Sequence, residues 1–144
     1  MGADTITEHP PMTEITKGHC LCGQTSFTFT GEPTWVINCH CESCRRNCSA
    51  PYTTFVGVPR VKAETKGWYL RAYKSSEGVK RWFCRHCGSP IAYDAKQDSN
   101  DIHFYLSALE DPEKYRPSAH LFTDEQLSWV HLDDGLVRHP KLPK

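Results

Sequence analysis

The stretch Cys39-His-Cys-Glu-Ser-Cys44 places three thiols within one short segment. Two pairs lie on either side of it, Cys20-Leu-Cys22 and Cys84-Arg-His-Cys87, and the eighth cysteine, Cys48, follows closely behind. One tetrahedral zinc needs four ligands, and two thiolates separated by one or two residues reach it from a single backbone turn. The cysteines therefore predict metal sites, held in turns at the ends of strands.

Eight cysteines in a chain of 144 residues also fit a disulfide framework. The chain begins MGADTITEHPPMTE, which has neither the basic nor the apolar segment of a secretory signal. Without export, structural disulfides are rare, and cysteines one residue apart bridge each other poorly. We therefore favour metal binding, and we expect a soluble, cytoplasmic protein.

The charge balance and the short apolar runs argue against nucleic acid and membranes as partners. Lys plus Arg and Asp plus Glu number 17 each, so no strong field draws the chain to nucleic acid or to an anionic membrane. The apolar runs are too short to span a bilayer. We predict a flexible leader over residues 1–14 and one domain over residues 15–144, with neither nucleic acid nor a membrane as partner.

The folded part is predicted to be mainly β. Alternating or β-branched segments predict strands at 25–30, 52–58, 68–73, 79–83 and 102–106, with a hairpin between the third and the fourth. A short helix is expected at 41–47, and residues 123–126 resemble a capping box with Thr123 as the cap. The aromatic residues predicted to lie in the core are Trp35, Tyr52, Phe55, Trp68, Trp82 and Phe104.

The number of thiols allows two unequal sites. Joining Cys20 and Cys22 to Cys84 and Cys87 closes a four-cysteine structural site. The middle cluster, Cys39, Cys41 and Cys44, then leaves a fourth position for water, a substrate or Cys48. If Cys48 closes the shell, the site is structural. If it points away, the metal can bind an incoming thiol and hold it as a thiolate.

Three motifs carry a resemblance to a known family: Gly18-His-Cys-Leu-Cys-Gly23, Cys39-His-Cys-Glu-Ser-Cys-Arg-Arg46 followed by Ala50-Pro51, and Phe83-Cys-Arg-His-Cys-Gly88. In this order and spacing, the chain resembles the glutathione-dependent formaldehyde-activating enzyme family, which also contains the centromere protein V domain. The resemblance covers roughly residues 15–140.

The resemblance implies a β-tent fold of antiparallel sheets with zinc knuckles and two zinc ions per chain. One zinc would be structural, on the first and third clusters, and the other would lie on the middle cluster. It also implies a carbon-sulfur lyase, similar to an S-(hydroxymethyl)glutathione synthase, that acts on glutathione or a related thiol and an electrophilic carbon compound such as formaldehyde. Cys39, Cys41 and Cys44 would then hold the reactive zinc.

Side chains near the middle cluster are further candidates. Arg45 and Arg46 follow it directly, and a zinc shell of three thiolates is anionic, so adjacent cations are favourable both for the shell and for thiol carboxylates. We assign Arg45 to the catalytic group and Arg46 to thiol binding. Ser49 stands where the family commonly carries glycine before Ala-Pro, and we assign it to the thiol pocket as well. His40 is expected to turn away from the metal.

A different class of function stays open. The chain would be a non-catalytic zinc-binding scaffold or binding module if both zinc ions were structural, and Cys48 as a fourth ligand would favour that class. A nucleic-acid-binding zinc ribbon predicts a basic surface, which the balanced charge opposes.

Overall fold

The computed structural model describes residues 14–144, so the predicted leader lies outside the described residues except for Glu14. The strands are β1 (Ile15–His19), β2 (Ser26–Thr30), β3 (Trp35–Cys39), β4 (Thr53–Pro59), β5 (Ala63–Lys66), β6 (Leu70–Ser76), β7 (Val79–Cys84), β8 (Pro90–Ala95), β9 (Asp101–Tyr105), β10 (Ala119–Leu121) and β11 (Val137–Arg138). The α-helix among these residues is α1 (Glu42–Cys48), and short 3-10 helices cover Arg60–Lys62, Lys96–Asp98, Leu106–Ala108 and Thr123–Glu125.

The strands form two sheets. The small sheet has the order β1-β2-β5, and the large sheet has the order β11-β10-β3-β4-β9-β8-β7-β6. The predicted class, mainly β in a single domain, is confirmed. The pairings are antiparallel except at one edge of the large sheet, where β10 is parallel to both β3 and β11. β10 reaches that edge after a long connection from β9, and a long connection allows a parallel pairing that a tight hairpin does not.

Alternating phenylalanines on β2 bring the two sheets together. Phe27 and Phe29 point to the same side of the strand because successive side chains alternate between faces. Phe27 stacks on Phe104 of β9 with ring centroids 4.2 Å apart, and Phe29 lies 6.2 Å from the same ring. The core therefore sits between the sheets.

Two local predictions are wrong. Trp68 is 81% exposed, because it lies in a turn ahead of β6, the edge strand of the large sheet, where no second layer covers it. Thr123 does not cap a helix. It is the first residue of a 3-10 helix whose preceding residue is Phe122, and its hydroxyl donates to the carbonyl of His139 instead.

A glycine on β4 makes room for the first residue of β3. Gly57 pairs with Trp35, and a Cβ atom added to Gly57 would lie 2.2 Å from the indole ring. Gly57→Ala is therefore expected to cost about 1–3 kcal/mol of unfolding free energy, measured by urea denaturation, because the ring has to move. In a Trp35→Ala background the same change should cost much less. An equal cost in both backgrounds would contradict this steric explanation.

Candidate functional site

Four thiols from distant parts of the chain meet at the junction of the two sheets. Cys20 follows β1 of the small sheet, Cys84 ends β7 of the large sheet, and the sulfur atoms of Cys20, Cys22, Cys84 and Cys87 all lie within 4.8 Å of one another. The Cys22 and Cys84 sulfurs are 3.8 Å apart. Four thiolates around a tetrahedral zinc, each at about 2.3 Å, are about 3.8 Å apart, so this group fits zinc.

Each pair in this group is held by a tight turn that ends in glycine. Gly23 N–H donates to Cys20 C=O at 3.1 Å, and Gly88 N–H donates to Cys84 C=O at 2.7 Å. Both glycines have positive φ, 79° and 83°, a conformation that side chains with a Cβ rarely adopt. The turns therefore hold the two thiols of each pair close together.

A second group of three thiols forms where β3 runs into α1. Cys39 ends β3, Cys41 is the N-cap residue of α1, and Cys44 lies in its first turn with its N–H donating to the Cys41 sulfur at 3.3 Å. The three sulfurs lie within 4.8 Å of one another. Their mutual hydrogen bonds, together with burial, raise the pKa of Cys39, while donation from Cys39 and Cys44 lowers the pKa of Cys41 to about 2. One thiolate is thus favoured, and a bound cation would favour the others.

The three-thiol group lies in the wall of a cavity of about 770 Å³. This volume is in the range of small-molecule sites. The described residues that line it include Cys39, Cys41 and Cys44 but none of the four thiols at the sheet junction. The two groups therefore differ in access. The four-thiol group joins the two sheets, whereas the three-thiol group faces a space that a small molecule can fill.

An arginine that the sequence analysis missed lies beside the three thiols. Arg81, on β7, is only 7% exposed, lines the cavity, and directs Nη1 at the Cys44 sulfur at 3.8 Å. Ser75 holds its Nε at 3.2 Å, and its guanidinium carbon lies 4.9 Å from the centre of the Tyr93 ring. Although burial opposes it, Cys44 raises the pKa of Arg81, so the guanidinium stays charged. The sequence contained a signal for this position, because alternation along the strand at residues 79–83 places Arg81 on the same face as Val79.

The three other predicted site residues lie elsewhere on α1 and at its end. Arg45 is half-buried and donates from Nε to the carbonyl of His40 at 3.1 Å. Arg46 is exposed and pairs with Glu42 at 3.0 Å. Ser49 is exposed and ends the helix in a left-handed conformation. The residues that line the cavity do not include Arg45, Arg46 or Ser49, and their assigned roles stay predictions.

The eighth cysteine does not join the three-thiol group. Cys48 is the last residue of α1 and lies four positions beyond Cys44, about 6 Å along the helix axis. Its sulfur lies outside the group of thiols within 4.8 Å. The neighbouring Asn47 amide donates to the hydroxyl of Tyr105 at 2.8 Å, which anchors this end of the helix.

We predict that Cys48→Ala leaves the zinc content unchanged, at about two ions per chain, because Cys48 lies outside both thiol groups that would hold zinc. Metal analysis of the purified variant measures this. Cys41→Ala, a change to alanine on the same segment, serves as the control and should lose about one zinc. A loss of one zinc in Cys48→Ala would place Cys48 among the ligands.

A hydrogen-bonded chain of two buried histidines and one aspartate ends at His40, which lies between Cys39 and Cys41 of the three-thiol group. His40 and His120 are both 0% exposed. Asp134 accepts from His120 Nε2–H at 2.7 Å, and His120 Nδ1 then accepts from His40 Nε2–H at 2.9 Å. These partners assign the tautomers. Burial lowers the pKa of His40 to about 4, so the ring is neutral. No sequence spacing pointed to this chain, since its members come from three separate segments.

Removing the central histidine should destabilise the fold. His120→Leu leaves His40 Nε2–H without its acceptor, and an unpaired buried donor costs about 1–3 kcal/mol. We expect a loss of that size in urea denaturation. His131→Leu, a change at an exposed position, is the control and should cost less than about 0.5 kcal/mol. Equal stabilities of the two variants would show that the histidine chain contributes nothing.

For the described residues, no helix has both the length and the apolar character needed to cross a bilayer. The two thiol groups, the mainly β fold and the cavity together define a class of metal-binding cysteine protein with an accessible site.

Residues 15–125 match the model of the family described as glutathione-dependent formaldehyde-activating enzyme, and the chain belongs to this family. It is 30% identical over 77 residues to an uncharacterised lyase of Schizosaccharomyces pombe, in an alignment that covers 54% of this chain and 56% of the relative. The crystal structure of a Rhodobacter sphaeroides protein has the same fold, with a TM-score of 0.58 and 21% identity over 85% of this chain and 98% of that one. The alignment with the S. pombe protein thus spans only about half of that relative's length, and the two thiol groups are those that could hold metal ions.

Proposed function

We propose that the chain is a carbon-sulfur lyase that joins a small thiol, such as glutathione, to an electrophilic carbon such as formaldehyde, or separates them. The observation that carries this proposal is that Cys39, Cys41 and Cys44 line the cavity while the four thiols at the sheet junction do not. The four-thiol group is then the structural zinc site and the three-thiol group the reactive one, which makes two zinc ions per chain. A zinc held by Cys39, Cys41 and Cys44 would supply a positive charge that keeps an incoming thiol ionised at neutral pH.

The protein side chains position the reactants and balance charge. Arg81 places a permanent cation 3.8 Å from Cys44 and so offsets the negative charge that collects when an anionic sulfur enters beside three thiols. The cavity wall is mostly apolar, and low-polarity surroundings strengthen that attraction. In the forward direction the substrate sulfur attacks the carbonyl carbon, a C–S bond forms as the C=O π bond breaks, and the oxygen takes a proton from water. The lyase direction is the reverse.

The alternative function, a non-catalytic scaffold or binding module with two structural zinc ions, has less support. Cys48 as the fourth ligand of the second site would favour this alternative. The Cys48 sulfur, however, lies outside the three-thiol group.

Calorimetry with the zinc-loaded protein tests the proposal. Glutathione and 2-mercaptoethanol are each compared with their S-methyl thioethers, which match them in size but have no ionisable sulfur. We expect both thiols to bind more tightly than their thioethers, and we expect catalysis of hydroxymethyl-thiol formation from formaldehyde, followed by NMR. Metal analysis after the titration controls for extraction of zinc. Equal affinities for thiols and thioethers would remove the main support for the proposal.

A further inference from the structure

The cavity beside the three thiols has walls that suit an apolar ligand. Its aromatic and aliphatic lining includes Trp35, Phe55, Val79, Tyr93, Leu121 and Leu142. The Tyr93 and His103 rings stack with centroids 5.3 Å apart, and Trp35 meets His103 edge-on at 4.4 Å. A wall of offset and edge-on rings offers the geometry in which a further aromatic ring packs well.

The charges of the cavity do not suit a ligand with several carboxylates. Among the described residues that line it, Arg81 is the one arginine and there is no lysine. Its guanidinium is already committed to Cys44, to Ser75 and to the face of Tyr93. A ligand carboxylate would have to displace one of these contacts.

Three acidic side chains also line the cavity, at Glu42, Asp98 and Glu125. Hydrogen bonds hold each in place: Glu125 accepts from the N–H of Glu42 at 3.1 Å, Glu42 pairs with Arg46, and Asp98 accepts from His103 at 2.6 Å. Burial lowers the pKa of His103 more than the Asp98 carboxylate raises it, so His103 adds no cation near neutral pH. Leaving aside the histidines, the lining thus has three carboxylates and one guanidinium, and Arg46 offsets the charge of Glu42 from outside the lining.

Glutathione carries two carboxylates and one ammonium group, and in this cavity its carboxylates would meet fixed acids and a single committed cation. Juxtaposed like charges lower affinity and so exclude the wrong ligand. We propose that the site selects a thiol, or a thiol adduct, whose organic group is uncharged and aromatic, over glutathione. The thiol part of this inference rests on the proposed function, whereas the preference for an aromatic group rests on the cavity alone.

The test compares phenylmethanethiol with glutathione, and benzyl methyl sulfide with S-methylglutathione, by calorimetry on the zinc-loaded protein. We expect the aromatic member of each pair to bind at least about tenfold more tightly, a difference of about 1.4 kcal/mol. The thioether pair separates the two proposals. If thiols and thioethers bind equally but the aromatic members still bind more tightly, the proposed function fails and the aromatic preference stands. If thiols exceed thioethers but glutathione equals or exceeds phenylmethanethiol, the function stands and this inference is overturned.

Two variants locate the preference in the cavity. Ala95→Phe fills part of the cavity from a buried position on β8 and should weaken phenylmethanethiol binding about tenfold or more. Ala72→Phe, at an exposed position on β6 outside the lining, should leave it unchanged. If both changes weakened binding equally, or if neither change weakened it, the preference for an aromatic group would not reside in this cavity.

A charge variant on the surface avoids any problem of folding. Gln97 is exposed and lines the cavity, so Gln97→Lys adds the cation that glutathione needs. We expect the ratio of phenylmethanethiol to glutathione affinity to fall by about 1.4- to 5-fold, the range typical of one exposed ion pair. Asn100→Lys adds the same charge outside the lining and should not change the ratio. An unchanged ratio in Gln97→Lys would show that charge does not set the selectivity.

Discussion

Replacing Cys84 by alanine is expected to cause the largest loss of stability of any single cysteine substitution. Cys84 is fully buried at the end of β7 and belongs both to the core between the sheets and to the four-thiol group. Structural zinc contributes directly to folding, with apparent binding free energies of about 10–16 kcal/mol in small zinc domains. Whole domains are stable by only about 5–15 kcal/mol, so the loss of one ligand can exceed the total.

The expected result for Cys84→Ala is the loss of about one zinc per chain together with loss of the cooperative thermal transition. Circular dichroism and metal analysis measure the two quantities. Cys48→Ala provides the matched control, because it removes a cysteine from outside both thiol groups. A Cys84→Ala protein that kept two zinc ions and the wild-type melting temperature would show that the four-thiol group does not hold the sheets together.

Replacing Cys44 by alanine is expected to abolish thiol binding while leaving the fold in place. Cys44 belongs to the three-thiol group and is the thiol that Arg81 faces. Its loss removes a ligand of the proposed reactive zinc and the sulfur that offsets the buried guanidinium. The junction between the two sheets does not depend on it, since Cys20 and Cys84 belong to the other group.

The measurement is calorimetry with 2-mercaptoethanol, together with metal analysis and a thermal melt. We expect zinc to fall from about two to about one per chain and thiol affinity to fall at least about a hundredfold, or about 2.7 kcal/mol. The adjacent Ser43→Ala, which also alters a residue of the cavity lining, should leave both values near wild type. Thiol binding that survived in Cys44→Ala would move the reactive position away from this group.

Local pattern predicted the strands well where side chains alternate or branch. The expected hairpin is present as β6 and β7, and the segment 25–30 contains β2. Trp68 failed because burial depends on which strand becomes the edge of a sheet, and that order is not a local property. Thr123 failed because its hydroxyl found a partner in the distant carbonyl of His139 rather than in its own helix.

The environment of the site was predicted less well than its thiols. The prediction looked for a cation next to the cysteines along the chain and chose Arg45 and Arg46. The guanidinium that faces Cys44 comes from Arg81, thirty-seven residues away, and the roles assigned to Arg45 and Arg46 stay predictions. The histidine chain was missed for the same reason, because Asp134 and His120 reach His40 only through the packing of the C-terminal segment against β3.

The sequence by itself determined the two kinds of thiol group. Two cysteines one or two residues apart can direct their sulfurs at the same metal from one turn, and this geometry depends only on the local sequence. Only the tertiary structure decided the access of each group and its charge. The order of the strands brings the four thiols together at the sheet junction. It also forms the cavity that the other three thiols line, and it places Arg81 in the lining of that cavity. Such contacts join residues that are far apart in the chain, so no local pattern contains them.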